Sequence, residues 1–129
     1  MSHFPIASDE VSAGFPSPAE NQSGGSLNLT DHLIKHPEAT FFLRVRGDSM
    51  IGAGIFDGDL LIVDRSLSPV SGDIVISILD GEFTVKRLII HNGFIELRPE
   101  NPRFQSLRIN EESQLDIWGV VTGAVKSFR

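Results

Sequence analysis

From Thr40 onward, the apolar residues of the chain come in short runs bounded by charged residues and glycines. Such runs, rich in β-branched and aromatic residues, are typical of strands. They predict strands over residues 41–46, 59–64, 74–79, 82–90, 94–97 and 115–125. Asp80-Gly81 is the strongest hairpin signal, His91-Asn92-Gly93 predicts a second turn, and Gly119 and Gly123 are expected to mark bends or bulges. We therefore predict a mostly-β domain, a folded and partly barrel-like sheet.

One stretch, 26–36, has a helical pattern. Leu29 and Leu33 fall on one face at a spacing of four, and Asn28 is a suitable N-cap. Pro37 marks the end of the stretch, because the residue before a proline disfavours helical geometry. These features predict one short helix at the start of the domain.

His32 and His36 also lie four residues apart, as a helical metal-binding pair would. No third ligand lies nearby in sequence, and a histidine in the last turn is explained by the helix dipole. We expect neither a metal nor any cofactor.

Residues 1–25 differ from the rest, because they combine Gly-Phe-Pro-Ser-Pro at 14–18 with Asn-Gln-Ser-Gly-Gly at 21–25. This composition buries too little apolar surface to order itself. It predicts a flexible N-terminal arm over 1–25, either functional or simply a ragged terminus, and a folded domain over 26–129.

Composition excludes several classes of protein. The 129 residues carry a net charge of −6, which disfavours sequence-independent binding of nucleic acid. The chain has no cysteine, so disulfides and thiol catalysis are excluded. It has no signal peptide and no apolar run approaching the roughly 18 residues of a membrane span. These features favour a soluble, cytoplasmic protein.

Two residues are candidates for chemistry. Ser49 lies in Gly47-Asp48-Ser49-Met50, where a tight turn would expose its hydroxyl, although these are also ordinary turn residues. Lys86 interrupts an apolar strand and shares a face with Thr84. A lysine there is typically solvated or guards an edge strand. If buried, it would instead be a general base that activates the serine.

Four blocks in order resemble the LexA-like serine peptidases. They are Gly-Asp-Ser-Met at 47–50, Asp-Gly-Asp-Leu-Leu-Ile-Val-Asp at 57–64, Gly-Asp-Ile-Val at 72–75 and Gly-Glu-Phe-Thr-Val-Lys-Arg-Leu at 81–88. The resemblance runs from Val11 over nearly the whole chain. Stretches 14–19 and 36–40 are similar to the members that assist error-prone DNA polymerases rather than to the repressors.

The resemblance implies that Ser49 is the nucleophile and Lys86 the base, and that the chain cuts itself at Ala13-Gly14. The backbone N–H of Met50 would help to stabilise the oxyanion, and Thr84 would orient the lysine, unless it reflects only β-propensity. Only 13 residues precede that bond, so we expect no helix-turn-helix domain and no sequence-specific DNA binding.

The resemblance also implies partners. RecA filaments on single-stranded DNA would promote the cleavage, and the trimmed homodimer would join a UmuC-type DNA polymerase subunit in the SOS response. Apolar residues near the C-terminus favour self-association, although core burial also explains them; they are Ile117, Trp118, Val120, Val121 and Phe128. Two alternatives stay open: a non-catalytic polymerase-binding module with a vestigial dyad, and a peptidase that cuts another protein.

Overall fold

A computed structural model describes residues 3–7, 23–110 and 114–129. The chain divides into two compact units, Met1–Lys35 and His36–Arg129. In the first unit, β1 (His3–Ala7) pairs antiparallel with β2 (Ser23–Asn28), and α1 (Leu29–Leu33) follows. Both strands thus include residues that the composition assigned to the flexible arm.

The helix is shorter than the 26–36 predicted from the sequence. Asn28 is its N-cap, as expected, and its side chain accepts a hydrogen bond from the Asp31 N–H at 3.3 Å. A capping residue is extended, so the residues before it continue β2 rather than the helix. At the other end the β-branched Ile34 is already extended, and the helix stops before Pro37 can end it.

The second unit is one antiparallel sheet of seven strands, in the order β3-β4-β9-β5-β6-β7-β8. This confirms the predicted mostly-β class; the sheet is open rather than a closed barrel, with β3 and β8 at its edges. The strands are β3 (Thr40–Arg44), β4 (Leu60–Asp64), β5 (Ile74–Leu79), β6 (Glu82–His91), β7 (Phe94–Arg98), β8 (Leu107–Ile109) and β9 (Leu115–Val125). Single turns of 3-10 helix occupy Pro37–Ala39 and Ile51–Ala53.

The two hairpin turns have the backbone that their residues predict. Asp80 and Gly81 have φ of 48° and 87°, and Asn92 and Gly93 have φ of 47° and 81°. Two successive positive φ angles match the twist of the flanking strands, and Asp-Gly and Asn-Gly tolerate them best. Within this seven-stranded sheet the sequence analysis missed only β8, whose three residues are too few to show a periodicity; β1 and β2 of the first unit were not predicted as strands either.

The core forms two clusters in this unit. One contains Val45, Met50, Ile55, Leu61, Val63 and Ile76; the other contains Val75, Leu88, Leu97 and Val120. Met50 belongs to the first cluster and is only 1% exposed. Burying a side chain of this size contributes about 1.5–3 kcal/mol, so the core holds the residue that follows Ser49.

Candidate active site

Ser49 lies on a compact turn between β3 and the 3-10 helix Ile51–Ala53. The chain enters through Gly47, whose φ of 91° is a conformation that a side chain would resist. The Gly47 N–H donates to Asp57 Oδ1 at 2.7 Å. With Met50 anchored in the core, the turn leaves Ser49 only partly buried, so its hydroxyl lies at the surface of a rigid segment.

Lys86 lies on β6, and its amine reaches this serine. The distance from Lys86 Nζ to Ser49 Oγ is 3.0 Å, within hydrogen-bond range. The amine also donates to Thr84 Oγ1 at 2.9 Å and to the Val85 carbonyl at 3.1 Å. β6 lies between β5 and β7 in the sheet; at Lys86 it pairs with Val75 of β5, and its pairing with β7 begins at the next residue, Arg87.

Burial sets the charge state that this lysine favours. Lys86 is partly buried, and the loss of hydration lowers its pKa from the ordinary value of 10.5. No carboxylate forms an ion pair with it among the residues that the structure describes. The site therefore favours the neutral amine more than water does.

A cleft of about 260 Å³ opens over the pair. Ser49, Thr84 and Lys86 line it together with Phe83 and the β3 residues at its rim. A second cleft, of about 370 Å³, shares Thr84 and Lys86 and extends toward Leu107 of β8. Lys86 thus lines both clefts. The first cleft leaves space for an extended peptide next to Ser49.

Backbone N–H donors lie beside the Ser49 hydroxyl. Among the described residues, the N–H groups of Ser49 and Met50 have no hydrogen-bond partner. The carbonyls around them are paired: Asp48 O accepts from the Asn101 side chain at 2.8 Å, and Ser49 O accepts from the Glu100 N–H at 2.8 Å.

Sequence reasoning missed Glu100 and Asn101. They lie in the loop between β7 and β8, about 50 residues after the serine, where no local pattern connects them to it. The one signal available was a polar pair flanked by prolines, Pro99 and Pro102, which reads as an ordinary turn.

The two histidines of the candidate metal pair lie in different compact units. His36 lies in the second unit, where its Nδ1 contacts Asp64 Oδ2 at 2.5 Å, and Ser66 Oγ donates to the other oxygen of Asp64 at 2.6 Å. His32 lies on α1 in the first unit. No group of three or more metal-ligating side chains occurs within residues 3–7, 23–110 and 114–129.

The expected scissile bond, Ala13-Gly14, lies outside the residues that the structure describes. No helix in the described part of the chain is long and apolar enough to span a membrane.

The chain is similar to known proteins over most of its length. Residues 5–122 match the family model Peptidase S24-like. The chain is 45% identical to Protein MucA of Salmonella typhimurium over 92% of its own length and 82% of that protein. It is also 45% identical to Protein SamA of Salmonella typhimurium over 100% of its length and 89% of SamA. The LexA repressor of Oleidesulfovibrio alaskensis is 48% identical over 88% of the chain but 54% of the repressor.

Proposed function

The chain belongs to the Peptidase S24-like family as a UmuD-like protein, and on that premise we propose that it cleaves its own Ala13-Gly14 bond with Ser49 and Lys86. The observation that carries the proposal is the 3.0 Å distance between Lys86 Nζ and Ser49 Oγ. A serine hydroxyl is too weakly acidic to attack a peptide unaided, and a neutral lysine is a competent base.

The contacts of the lysine suit this role. A neutral amine has two N–H donors and one lone pair, and Lys86 has two acceptors besides Ser49, namely Thr84 Oγ1 and the Val85 carbonyl. Donating both hydrogens to these acceptors directs the lone pair at the Ser49 hydroxyl. Thr84 and Val85 thereby orient the base.

The steps follow from this arrangement. Lys86 takes the hydroxyl proton as Ser49 Oγ attacks the Ala13 carbonyl carbon. The N–H groups of Ser49 and Met50, which have no partner among the described residues, stabilise the negative oxygen. Lys86 then gives its proton to the Gly14 nitrogen as the peptide bond breaks. A water molecule, deprotonated by the same amine, then attacks the acyl carbon. The bond to Ser49 Oγ breaks, residues 1–13 leave with a new carboxylate, and Lys86 returns the proton to Ser49 Oγ.

The proposal extends to the role of the trimmed chain. Cleavage is promoted by RecA on single-stranded DNA in the cytoplasm, and residues 14–129, as a homodimer, join a UmuC-type polymerase subunit in SOS mutagenesis. This part rests on the resemblance of 14–19 and 36–40 to the polymerase-assisting members and on the similarity to MucA and SamA.

Intact-mass analysis tests the proposal. Purified chain is incubated at alkaline pH, and separately at neutral pH with RecA filaments. We expect a fragment with the mass of residues 14–129 from the parent and from the control Ser127→Ala, whose hydroxyl is exposed near the C-terminus. Ser49→Ala should yield none, since it lacks the attacking oxygen. An uncut parent in both incubations would instead favour a vestigial dyad in a polymerase-binding module.

A further inference from the structure

The turn that carries Ser49 is held from outside by two residues of a distant loop. Asn101 Nδ2 donates to Asp48 O at 2.8 Å, and the Glu100 N–H donates to Ser49 O at 2.8 Å. In return, the Gly52 N–H donates to Glu100 O at 2.7 Å. Three hydrogen bonds therefore connect the loop between β7 and β8 to the two sides of the nucleophile.

These bonds fix the two peptide planes that matter for catalysis. The peptide bonds of this turn are planar and trans, so the C=O and N–H of each bond point in opposite directions. The Asp48 carbonyl shares a plane with the Ser49 N–H, and the Ser49 carbonyl shares one with the Met50 N–H. Turning both carbonyls toward the loop turns both N–H groups away from it.

The loop between β7 and β8 is itself held in place by hydrogen bonds. Asn101 is only 6% exposed, and its Oδ1 accepts from the Arg103 N–H at 3.0 Å, which fixes which end of the amide faces Asp48. The Glu100 carboxylate accepts from Arg87 Nε at 2.9 Å, and Arg87 follows Lys86 on β6. The loop is thus tied to the strand that carries the base as well as to the turn that carries the nucleophile.

We propose that Asn101, with the Glu100 backbone, is the positioning element of the oxyanion hole, aiming the N–H groups of Ser49 and Met50 at the developing charge. Asn101 touches neither the substrate nor the reacting atoms. It acts through the Asp48 carbonyl, whose orientation it sets before the reaction begins. This inference rests on the proposed self-cleavage.

The test compares the pH–rate profiles of spontaneous cleavage for the full chain and its variants. Asn101→Ala removes the donor, and Asn101→Asp keeps the shape but sets a carboxylate oxygen against Asp48 O. The matched control is Asn92→Asp, the same amide-to-acid change on the exposed β6–β7 turn. Ser49→Ala is measured in parallel.

We expect the plateau rate to fall about 10- to 100-fold for both Asn101 variants, a share of the roughly 10²–10³ lost with a whole oxyanion donor. The pH midpoint for Asn101→Ala should stay at the parent value, because Lys86 keeps its surroundings. A variant whose fold is merely destabilised would also shift the midpoint of the pH–rate profile, because the burial of Lys86 would change. If Asn101→Ala melts below the assay temperature, Asn101→Asp carries the comparison.

Plateau rates within twofold of the parent in both variants would overturn the inference. So would an Asn101→Ala profile in which only the midpoint moves, since Asn101 would then act through the base. Both results leave the proposed function intact if Ser49→Ala is uncut. A cut Ser49→Ala protein would refute the proposed function itself.

Discussion

The proposed chemistry depends on Lys86, a lysine that the fold holds partly out of water. Three oxygen atoms surround its amine, those of Ser49, Thr84 and Val85, and none of them carries a charge. Because burial penalises the ammonium form, the folded pKa of Lys86 lies below its ordinary value. The same penalty that would make Lys86 the base in the proposed reaction also costs the protein stability.

The first prediction follows from the need for a neutral amine. Spontaneous cleavage should accelerate about tenfold per pH unit below the folded pKa of Lys86 and level off above it. The rate of appearance of the 14–129 fragment between neutral and alkaline pH measures this. A rate independent of pH over that range would contradict a lysine base.

A second prediction concerns Lys86→Met. Below its folded pKa, Lys86 is charged in both the folded and the unfolded protein, and the full free-energy penalty of burying the charge is present. This penalty is relieved as pH rises from the folded pKa to 10.5. Lys86→Met should abolish cutting and raise the melting temperature by a few degrees near pH 7, and this gain should shrink toward pH 10.5. The exposed Lys35→Met serves as the control. A Lys86→Met protein that still cuts itself would refute the assignment of the base.

The scissile bond gives a third prediction. A glycine enters a cramped cleft in conformations that a Cβ restricts, so Gly14→Val should block cutting, whereas Ser12→Ala should change the rate little. Fragment masses from the two variants decide it. If both variants were cut at the parental rate, the scissile bond would not be Ala13-Gly14.

Among the elements, β9 joins the two halves of the sheet. It pairs with β4 through Val120–Val125 and with β5 through Leu115–Val120. Each ladder contains one bulge, at Thr122 and at Trp118, which confirms the irregularities expected next to Gly123 and Gly119. The bulges let a single strand serve two partners in succession.

The two glycines of β9 make a matched pair for a fourth prediction. A Cβ at Gly119 would lie 2.5 Å from Val63 Cγ1, a fully buried side chain, whereas one at Gly123 would meet Ile62 Cδ1 at 3.4 Å. Overpacking of this kind costs about 1–3 kcal/mol. Thermal unfolding should show Gly119→Ala several degrees less stable than the parent and Gly123→Ala close to it. Equal melting temperatures for the two variants would show that the side chains around Val63 rearrange to accommodate the added methyl group.

For the whole molecule, the C-terminal end of the sheet is the surface best suited to self-association. Beyond Val120, β9 pairs with β4 but no longer with β5, so one side of the strand has no neighbour among the described residues. Val125 is 44% exposed and Phe128 97% exposed. By contrast, four residues named as candidates from the sequence pack against the core or belong to it: Ile117, Trp118, Val120 and Val121.

The fifth prediction is therefore a homodimer that depends on this end of the chain. Sedimentation at micromolar concentration should give about twice the chain mass of 14.1 kDa. Phe128→Asp should weaken the dimer with little effect on folding, while Val70→Asp, on a surface loop, should not. A parent that remains monomeric across this range would remove the dimer from the proposal.

The sequence by itself determined six of the seven strands of the large sheet, both hairpin turns and the N-cap of α1, because each depends on residues adjacent in the chain. Asp80-Gly81 and Asn92-Gly93 carry their own backbone preference, and a period of two already sets Lys86 and Thr84 on one face. Only the tertiary structure decided that Lys86 reaches Ser49. It also decided that Asn101 and Glu100 hold the turn that carries Ser49. These contacts join residues on different strands and loops, and sheet order and burial, which no local pattern encodes, bring them together.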